Sequence, residues 1–173
     1  MSCRGSWVSA ELVLVVGERD SGKTTTLTRM LTIHHAQNHT VGGFLALANP
    51  GKTWYRLNSL ATGESRMAFS AESNLGSVRL GRFSVDESAF VWANAQIHSD
   101  LGRCNVVFFD EIGRLELQGG GFSPSFRAAL ATESVSVIAA VRTNFLDQVI
   151  HTFCLEEHPY SVVNVAKPIR NES

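Results

Sequence analysis

The sequence predicts a three-layer α/β fold in which helices cover both faces of a mostly parallel sheet. Short apolar runs alternate with helix-like stretches along most of the 173 residues. The first run, residues 12–16, is Leu-Val-Leu-Val-Val, a pattern typical of a parallel strand buried on both faces. A glycine-rich segment follows it and leads into a helix-like stretch. We therefore expect right-handed crossovers and a single domain over residues 1–173.

The glycine-rich segment, residues 17–24, reads Gly-Glu-Arg-Asp-Ser-Gly-Lys-Thr and is a complete G-x-x-x-x-G-K-T phosphate-binding loop. Its glycines let the chain fold back so that backbone N–H groups point at a phosphate, and the next helix adds its positive end. Lys23 is expected to reach the β- and γ-phosphates, and the Thr24 hydroxyl to hold Mg²⁺. The motif predicts a P-loop NTPase fold, with a nucleotide site made of Gly17, Glu18, Arg19, Asp20, Ser21, Gly22, Lys23, Thr24 and Thr25.

Periodicity and turn signals define the remaining elements of the first half, after a strand at residues 11–17. Residues 24–35 are predicted to be helical, and residues 41–48 read as a strand closed by an Asn-Pro-Gly turn. Two short apolar runs between residues 54 and 69 flank a glycine turn and predict a hairpin. A small antiparallel β insertion is therefore expected at about residues 41–85, and its polar part, residues 70–80, as a mobile loop.

The second half continues the alternation of strands and helices. Asp86 is predicted to cap a helix that runs to Leu101, because its carboxylate can accept from the first-turn N–H groups. Pro124 suits the first turn of a short helix. The remaining predicted elements are strands at 82–85, 106–109, 135–141 and 160–165, a glycine-rich loop at 118–121, and helices at 123–130 and 145–153.

Charge and cysteine content exclude several function classes. Lys and Arg number 15 against 16 Asp and Glu, a formal net charge of −1, so no basic field indicates nucleic acid. Cys3, Cys104 and Cys154 are odd in number and lack C-x-x-C spacing, which favours a reducing compartment over disulfides or zinc. The apolar runs are too short for a signal peptide or a membrane span. A soluble, cytoplasmic protein without nucleic-acid or membrane partners is expected.

A polar pair follows another buried strand. Asp110 ends the run 106–109, where open parallel sheets bind ligands, and it is expected to hold Mg²⁺ together with Thr24. Glu111, one residue later, can orient or deprotonate the water that attacks a γ-phosphate. This pairing favours a hydrolase over a kinase. The alternative interpretation is that the two carboxylates cap the next segment.

Hydrolysis also requires a cation at the γ-phosphoryl group in addition to Lys23. Arg142 is the first candidate, because it follows the strand 135–141 and a parallel sheet would bring it to the edge that holds Asp110. Arg114 is the second candidate and Arg170 the third. The alternative for each is an ordinary solvated arginine.

Two side-chain groups have a structural interpretation beside a functional one. They are the histidines His34, His35 and His39 and the aromatic residues Trp54, Tyr55 and Trp92. His35 and His39 would lie one helical turn apart, but no third metal ligand is evident nearby, so histidines at a helix C-terminus are the favoured interpretation. The aromatic residues could stack on a base, although such residues in a small β insertion more often belong to the core.

The motif order carries a family resemblance. After the phosphate loop come Gly-Gly-Phe at 42–44, Thr-Gly at 62–63, Gly-Arg-Phe-Ser-Val-Asp at 81–86 and Asp-Glu-Ile-Gly-Arg-Leu-Glu-Leu at 110–117. This order, over nearly the whole chain, resembles the small nucleoside-triphosphatase family first known from thermophiles. The resemblance implies slow Mg²⁺-dependent hydrolysis of several nucleoside triphosphates, with Asp110 serving the metal and Glu111 the water. Glu116 matches the motif too, and a structural role is expected for it.

The chain departs from the family pattern at two places. Arg19, Asp20 and Ser21 stand where the family loop usually carries a further glycine. The charge of Asp20 beside the phosphates should weaken binding unless its side chain turns outward or pairs with Arg19. Lys52 stands where the family has arginines, and lysine lacks the planar guanidinium fork.

The sequence thus predicts a Mg²⁺-dependent nucleoside triphosphatase that releases a diphosphate and phosphate from ATP, GTP and other nucleotides. No Asn-Lys-x-Asp element for reading guanine is present, so loose base specificity is expected. One alternative is a nucleotide or small-molecule kinase, although no arginine-rich lid is recognisable. The other is a nucleotide-binding switch or adaptor, because Asp110-x-x-Gly113 fits a pattern that senses a γ-phosphate.

Overall fold

The computed structural model describes residues 10–166, which build a nine-stranded sheet. Its strands are β1 (Leu12–Gly17), β2 (Val41–Ala48), β3 (Trp54–Ser59), β4 (Ser65–Ser70), β5 (Arg79–Leu80), β6 (Phe83–Val85), β7 (Val106–Ile112), β8 (Ser136–Arg142) and β9 (Tyr160–Val165). The helices are α1 (Lys23–Ala36), α2 (Glu87–Leu101), α3 (Arg114–Leu117), α4 (Ser123–Leu130) and α5 (Leu146–Thr152). The strand order is β5-β6-β4-β3-β2-β7-β8-β1-β9.

The strands β2, β7, β8, β1 and β9 form the parallel half of the sheet. The register between β1 and β8 places Gly17 opposite Arg142. Phe109 in β7 lies opposite Ala139 in β8. The phosphate loop, Asp110 and Arg142 therefore lie at the same edge of the sheet, formed by the carboxyl ends of the parallel strands, where open parallel sheets bind ligands. The predicted α/β fold class is confirmed.

The antiparallel half consists of the strands β3, β4, β6 and β5. The insertion expected at about residues 41–85 begins with β2, which also pairs in parallel with β7. The antiparallel segment proper thus starts after the turn that ends β2. In that turn the Asn49 side-chain oxygen accepts from the N–H groups of Thr53 and Trp54, which reverses the chain into β3.

Two apolar layers hold the sheet between helices. On one face, α1 buries Leu27 against Val15 and Phe108. On the other face, α2, α4 and α5 cover a larger cluster that includes Phe122 and Phe126, each at most 1% exposed. Burying a phenylalanine side chain contributes roughly 1.5–3 kcal/mol. The sheet edge that carries the polar residues therefore rests on a packed, rigid base.

Strand β7 is longer than predicted. The expected strand ended at Phe109, whereas β7 continues through Asp110 and Glu111 to Ile112. Its pairing with β8 shifts register between Phe109 and Ile112. Irregularities of this kind re-aim side chains, and here both carboxylates line the same cleft.

Three further local features went beyond the sequence prediction. Helix α3 and a 3₁₀ turn at Thr143–Phe145 were not predicted, since each spans four residues or fewer. Residues 70–80, expected as a mobile loop, end in β5. The Ser84 hydroxyl fastens this segment, because it donates to the Ser73 carbonyl at 2.6 Å and accepts from the Leu75 N–H at 3.0 Å.

Candidate functional site

The loop between β1 and α1 has the geometry of a phosphate cradle. A Cβ on Gly17 would lie 2.8 Å from the Val165 carbonyl oxygen of β9 and would also meet the Ser21 side chain, so the close packing of the loop at this point requires glycine. Gly22 has φ +98°, a left-handed conformation that turns the loop into α1. Lys23 is 6% exposed, and its ammonium donates to the carbonyls of Gly17 at 3.1 Å and Glu18 at 2.7 Å. These contacts hold the lysine over the loop in which a phosphate would lie.

Asp20 and Lys52 form an ion pair that joins this loop to the insertion. Asp20 has φ +60° and Lys52 φ +51°, so both adopt the left-handed conformation that favours glycine. The hydrogen bond from Lys52 lowers the pKa of the Asp20 carboxyl below its ordinary value. Arg19, the partner expected from the sequence, lies farther away, with 4.0 Å between its Nε and Asp20 Oδ2. Asp20 therefore turns outward toward Lys52.

Thr24 and Asp110 meet as the sequence predicts. The Thr24 hydroxyl donates to Asp110 Oδ2 at 3.0 Å, and the Ala46 N–H donates to the same oxygen at 3.1 Å. Burial raises the pKa of Asp110 to about 6, while these two hydrogen bonds oppose the rise. A hydroxyl and a carboxylate held together in a buried pocket are the all-oxygen ligands that Mg²⁺ prefers. The donor set fits that ion.

Glu111 lies between two cations. Its Oε1 is 2.8 Å from Arg142 Nε, and its Oε2 is 3.9 Å from Lys23 Nζ. Burial raises the pKa of Glu111, whereas Arg142 and Lys23 oppose the rise. Burial also lowers the pKa of Lys23, although the neighbouring Glu111 charge counteracts this. The structure thus gathers a carboxylate, a lysine and an arginine at one point of the sheet edge.

A cleft of about 730 Å³ contains all of these groups. One end is formed by the phosphate loop, and the other by aromatic and aliphatic side chains of the insertion and α2. Arg114, the second arginine candidate, also lines the cleft, with its guanidinium 6.0 Å from the Phe145 ring centroid. Arg170 lies outside the described residues.

The three aromatic candidates for stacking on a base separate in the structure. Tyr55 lines the cleft, where its ring meets Phe83 edge-on at 5.5 Å. Trp92 instead packs edge-on against Phe44 and lies under the Arg66 guanidinium. Trp54 is partly buried in β3.

The histidines pair differently from the sequence expectation. His34 Nδ1 lies 2.8 Å from His39 Nδ1, so the pair is not His35 with His39. The chain turns back after α1 and brings His39 onto the preceding turn, where its N–H bonds to the His34 carbonyl. Burial, reinforced by the charge of His39, lowers the pKa of His34. This arrangement ends the helix and lies outside the cleft.

Glu116 has a defined structural contact. It is 4% exposed and accepts from the N–H groups of Gly113 and Phe122, each at 2.9 Å. Burial raises its pKa to about 7. Glu116 thus ties the segment after Glu111 to the start of α4, a contact that its place in the motif indicated but did not define.

A search of the described helices found none with both the length and the apolar character required to cross a membrane. Comparison with known proteins gave consistent results. A protein-family model described as NTPase matches residues 12–172. The nucleoside-triphosphatase THEP1 of Korarchaeum cryptofilum (strain OPF8) is 30% identical over 128 residues, which are 72% of this chain and 65% of that protein. The match thus spans less than two thirds of that relative.

Two solved structures share the fold. The crystal structure of THEP1 from the hyperthermophile Aquifex aeolicus superposes with a TM-score of 0.70 at 17% identity, covering 93% of each chain. The solution structure of a human cancer-related nucleoside triphosphatase gives a TM-score of 0.72 at 20% identity, covering 94% of this chain and 92% of that one. Because the family model extends over nearly the whole sequence, this protein belongs to the NTPase family.

Proposed function

We propose that the protein is a Mg²⁺-dependent nucleoside triphosphatase that converts a nucleoside triphosphate to the diphosphate and phosphate. The observation that carries the proposal is the position of Glu111, which lies 2.8 Å from Arg142 and 3.9 Å from Lys23 in the cleft that also holds Thr24 and Asp110. Membership of the NTPase family and the nucleoside-triphosphatase activity for which its relatives are named support it.

The phosphate loop binds the triphosphate. Its backbone N–H groups and the N-terminus of α1 favour an anion, and Lys23 supplies a cation. In the structure the Lys23 ammonium donates to the Gly17 and Glu18 carbonyls and forms an ion pair with Glu111 at 3.9 Å. We infer that the lysine keeps contact with the loop while it bridges the β- and γ-phosphates. The nucleotide-binding residues are those of the loop, Gly17 to Thr25.

Thr24 and Asp110 would hold the metal ion. When bound, Mg²⁺ supplies positive charge to the β- and γ-phosphate oxygens. Since the pKa of Asp110 is about 6, its carboxylate is mostly ionised at neutral pH and can attract the ion. The Ala46 N–H fixes the carboxylate oxygen toward Thr24. These contacts keep the two ligands in place before the ion binds.

Glu111 acts on the attacking water. The water oxygen forms a bond to the γ-phosphorus, its proton passes to the Glu111 carboxylate, and the bond to the bridging oxygen breaks with its electrons on the diphosphate. Arg142 places Glu111 and carries positive charge to the γ-phosphoryl oxygens, where negative charge is redistributed in the transition state. Glu111, Lys23 and Arg142 are the proposed catalytic residues.

The proposal also includes a broad range of nucleotide substrates and a cytoplasmic location. The sequence lacks the Asn-Lys-x-Asp element, which supports hydrolysis of ATP, GTP and other nucleotides alike. Cys104 and Cys154 are free thiols, a state that supports a cytoplasmic location.

The experiment is phosphate release from ATP, GTP, CTP and UTP, with and without Mg²⁺, by wild type and Lys23→Ala purified in parallel. Metal-dependent release from several nucleotides that Lys23→Ala abolishes supports the proposal. Phosphate release by Lys23→Ala at the wild-type rate would show that the activity comes from a contaminant, and this result would overturn the proposal.

A further inference from the structure

Part of the cleft is lined by aromatic and aliphatic side chains, and we call this part the aromatic compartment. Its walls are formed by Tyr55, Leu57, Phe69, Leu80, Phe83 and Phe90. These residues come from β3, β4, β5, β6 and α2. The antiparallel insertion therefore adds a binding surface that the phosphate loop alone does not provide.

A triphosphate bound at the phosphate loop would not occupy the aromatic compartment. The γ-phosphate must lie at Glu111 and Asp110, on β7, for hydrolysis to occur. β9 flanks the loop on the opposite side, since its Val165 carbonyl would lie 2.8 Å from a Cβ on Gly17. A triphosphate bound in this way would direct its α-phosphate and nucleoside away from β7, whereas the insertion lies past β2, on the side of the γ-phosphate. The aromatic compartment would therefore face the γ-phosphate and not the nucleoside of the triphosphate.

The side chains of the compartment suit a ligand that combines a flat base with a phosphate. The Tyr55 and Phe83 rings meet edge-on with centroids 5.5 Å apart, which leaves an apolar surface for a base. The Arg82 guanidinium lies 5.0 Å from the Phe83 ring centroid. Arg82 and Arg114 are both exposed at the rim of the cleft and provide planar donors that match phosphate oxygens.

We propose that the aromatic compartment binds a nucleoside 5′-monophosphate as a phosphoryl acceptor, so that the protein also catalyses transfer between nucleotides. The inference rests on the proposed function insofar as the γ-phosphate must lie at Glu111. A monophosphate oxygen forms the new bond to the γ-phosphorus, and the bond to the bridging oxygen breaks with its electrons on the leaving diphosphate. The triphosphate and the monophosphate thereby yield two diphosphates.

The two reactions differ in their need for Glu111. Water must lose a proton as it attacks, whereas a monophosphate dianion is already ionised and needs no base. Replacing Glu111 by Gln should therefore suppress hydrolysis and spare transfer. This separation is specific to an acceptor that brings its own negative charge.

The test uses full-length protein, γ-³²P-labelled ATP, Mg²⁺ and, one at a time, CMP, UMP and GMP. The expected result is labelled diphosphate from at least one acceptor, retained in Glu111→Gln and absent in Lys23→Ala. Phe83→Ala should lower transfer roughly tenfold, the effect of one lost stacking contact, and leave phosphate release without acceptor within about twofold. Trp54→Ala, an aromatic change in the same insertion outside the cleft lining, should alter neither reaction.

Binding and folding are measured on the same proteins. Calorimetric titration of the monophosphate into protein saturated with Mg²⁺ and a non-hydrolysable ATP analogue should show a second site, weakened by Phe83→Ala and by Arg82→Gln. Thermal melting identifies a variant that fails to fold, and Arg82→Gln, an exposed change, then takes its place.

The proposal is overturned if phosphate is released but no labelled diphosphate forms and no second site is titrated. Transfer without hydrolysis would instead support it and refute the proposed hydrolase. If the wild-type protein catalyses neither hydrolysis nor transfer, the proposed hydrolase and the proposed transfer are both refuted.

Discussion

The Nε atom of Arg142 lies 2.8 Å from Oε1 of Glu111, at the carboxyl ends of the neighbouring parallel strands β8 and β7. The contact places a guanidinium against the carboxylate proposed to activate water. Because Glu111 is mostly buried and its pKa is raised by that burial, the arginine also limits how far the carboxylate is protonated. Arg142 therefore both holds Glu111 in position and places a positive charge beside it.

Removing this arginine should slow hydrolysis far more than it weakens binding. We expect Arg142→Ala to lower kcat about 100- to 1000-fold, as losing a preorganised transition-state donor does, with little change in nucleotide affinity. Arg103→Ala serves as the matched control and should retain wild-type rates, because Arg103 is an exposed arginine just after the end of α2 and does not line the cleft. A larger fall in kcat for Arg114→Ala than for Arg142→Ala would assign the role to Arg114.

Asp20 should weaken nucleotide binding even though it is paired. A negative charge near the phosphates opposes binding by about 1 kcal/mol at surface distances in water. Asp20→Gly removes this charge and also relieves the left-handed backbone at φ +60°, so we expect the Kd for the Mg²⁺–ATP complex to fall about fivefold.

The dependence of the Kd on salt concentration and a second variant test whether the charge of Asp20 causes the weaker binding. Screening reduces the benefit of Asp20→Gly as ionic strength rises toward about 1 M. Lys52→Ala should raise the Kd, because it leaves Asp20 without its partner. An unchanged Kd in both variants at low salt would show that the pair has no influence on the phosphates.

Asp110 should determine the metal requirement. Asp110→Asn keeps an oxygen near Thr24 but removes the charge, so we expect the Mg²⁺ concentration for half-maximal hydrolysis to rise at least about tenfold. The variant should bind ATP without metal no more weakly than wild type does. The measurement is a Mg²⁺ titration of phosphate release. The same Mg²⁺ requirement in wild type and variant would contradict Asp110 as a ligand.

Glu116 should make folding stability depend on pH. Its pKa is raised from 4.5 to about 7 in the folded protein, so the native state binds more protons than the unfolded state within that window. Stability due to this group is therefore present below the window and is lost as pH rises through it. Relative to Glu116→Gln, wild type should lose roughly 2–3 kcal/mol of unfolding free energy between about pH 5 and about pH 8.

Urea unfolding at several pH values checks this prediction. Glutamine can accept from only one of the two N–H groups that Glu116 satisfies, which costs about 1–3 kcal/mol at every pH. The difference between the proteins should thus be greatest in acid. A difference that does not vary with pH would place the Glu116 pKa near its ordinary value in the fold.

The sequence predicted the parts of the site that strand order alone brings together. Thr24 and Asp110 follow two buried strands, and parallel strands present their carboxyl ends at one edge, so their contact was foreseen. The positions of the long strands and helices followed from apolar periodicity. These predictions depend on local pattern and on a single rule of sheet topology.

The rest depends on contacts between distant segments. The Asp20–Lys52 pair requires the turn after β2 to fold over the phosphate loop, which no local pattern encodes. Glu111 reaches the cleft beside Asp110 through a register shift in β7, whereas a regular strand would alternate the two side chains. Helix α3 is too short for a periodic signal.

The most direct test of hydrolysis by Glu111 is a comparison of wild type with Glu111→Gln, measuring phosphate release and Mg²⁺–ATP affinity on the same preparations. We expect phosphate release to fall at least about 100-fold, as the loss of a general base requires, while the Kd stays within about threefold. Hydrolysis by Glu111→Gln at the wild-type rate would show that another group activates the water and would refute the role of Glu111.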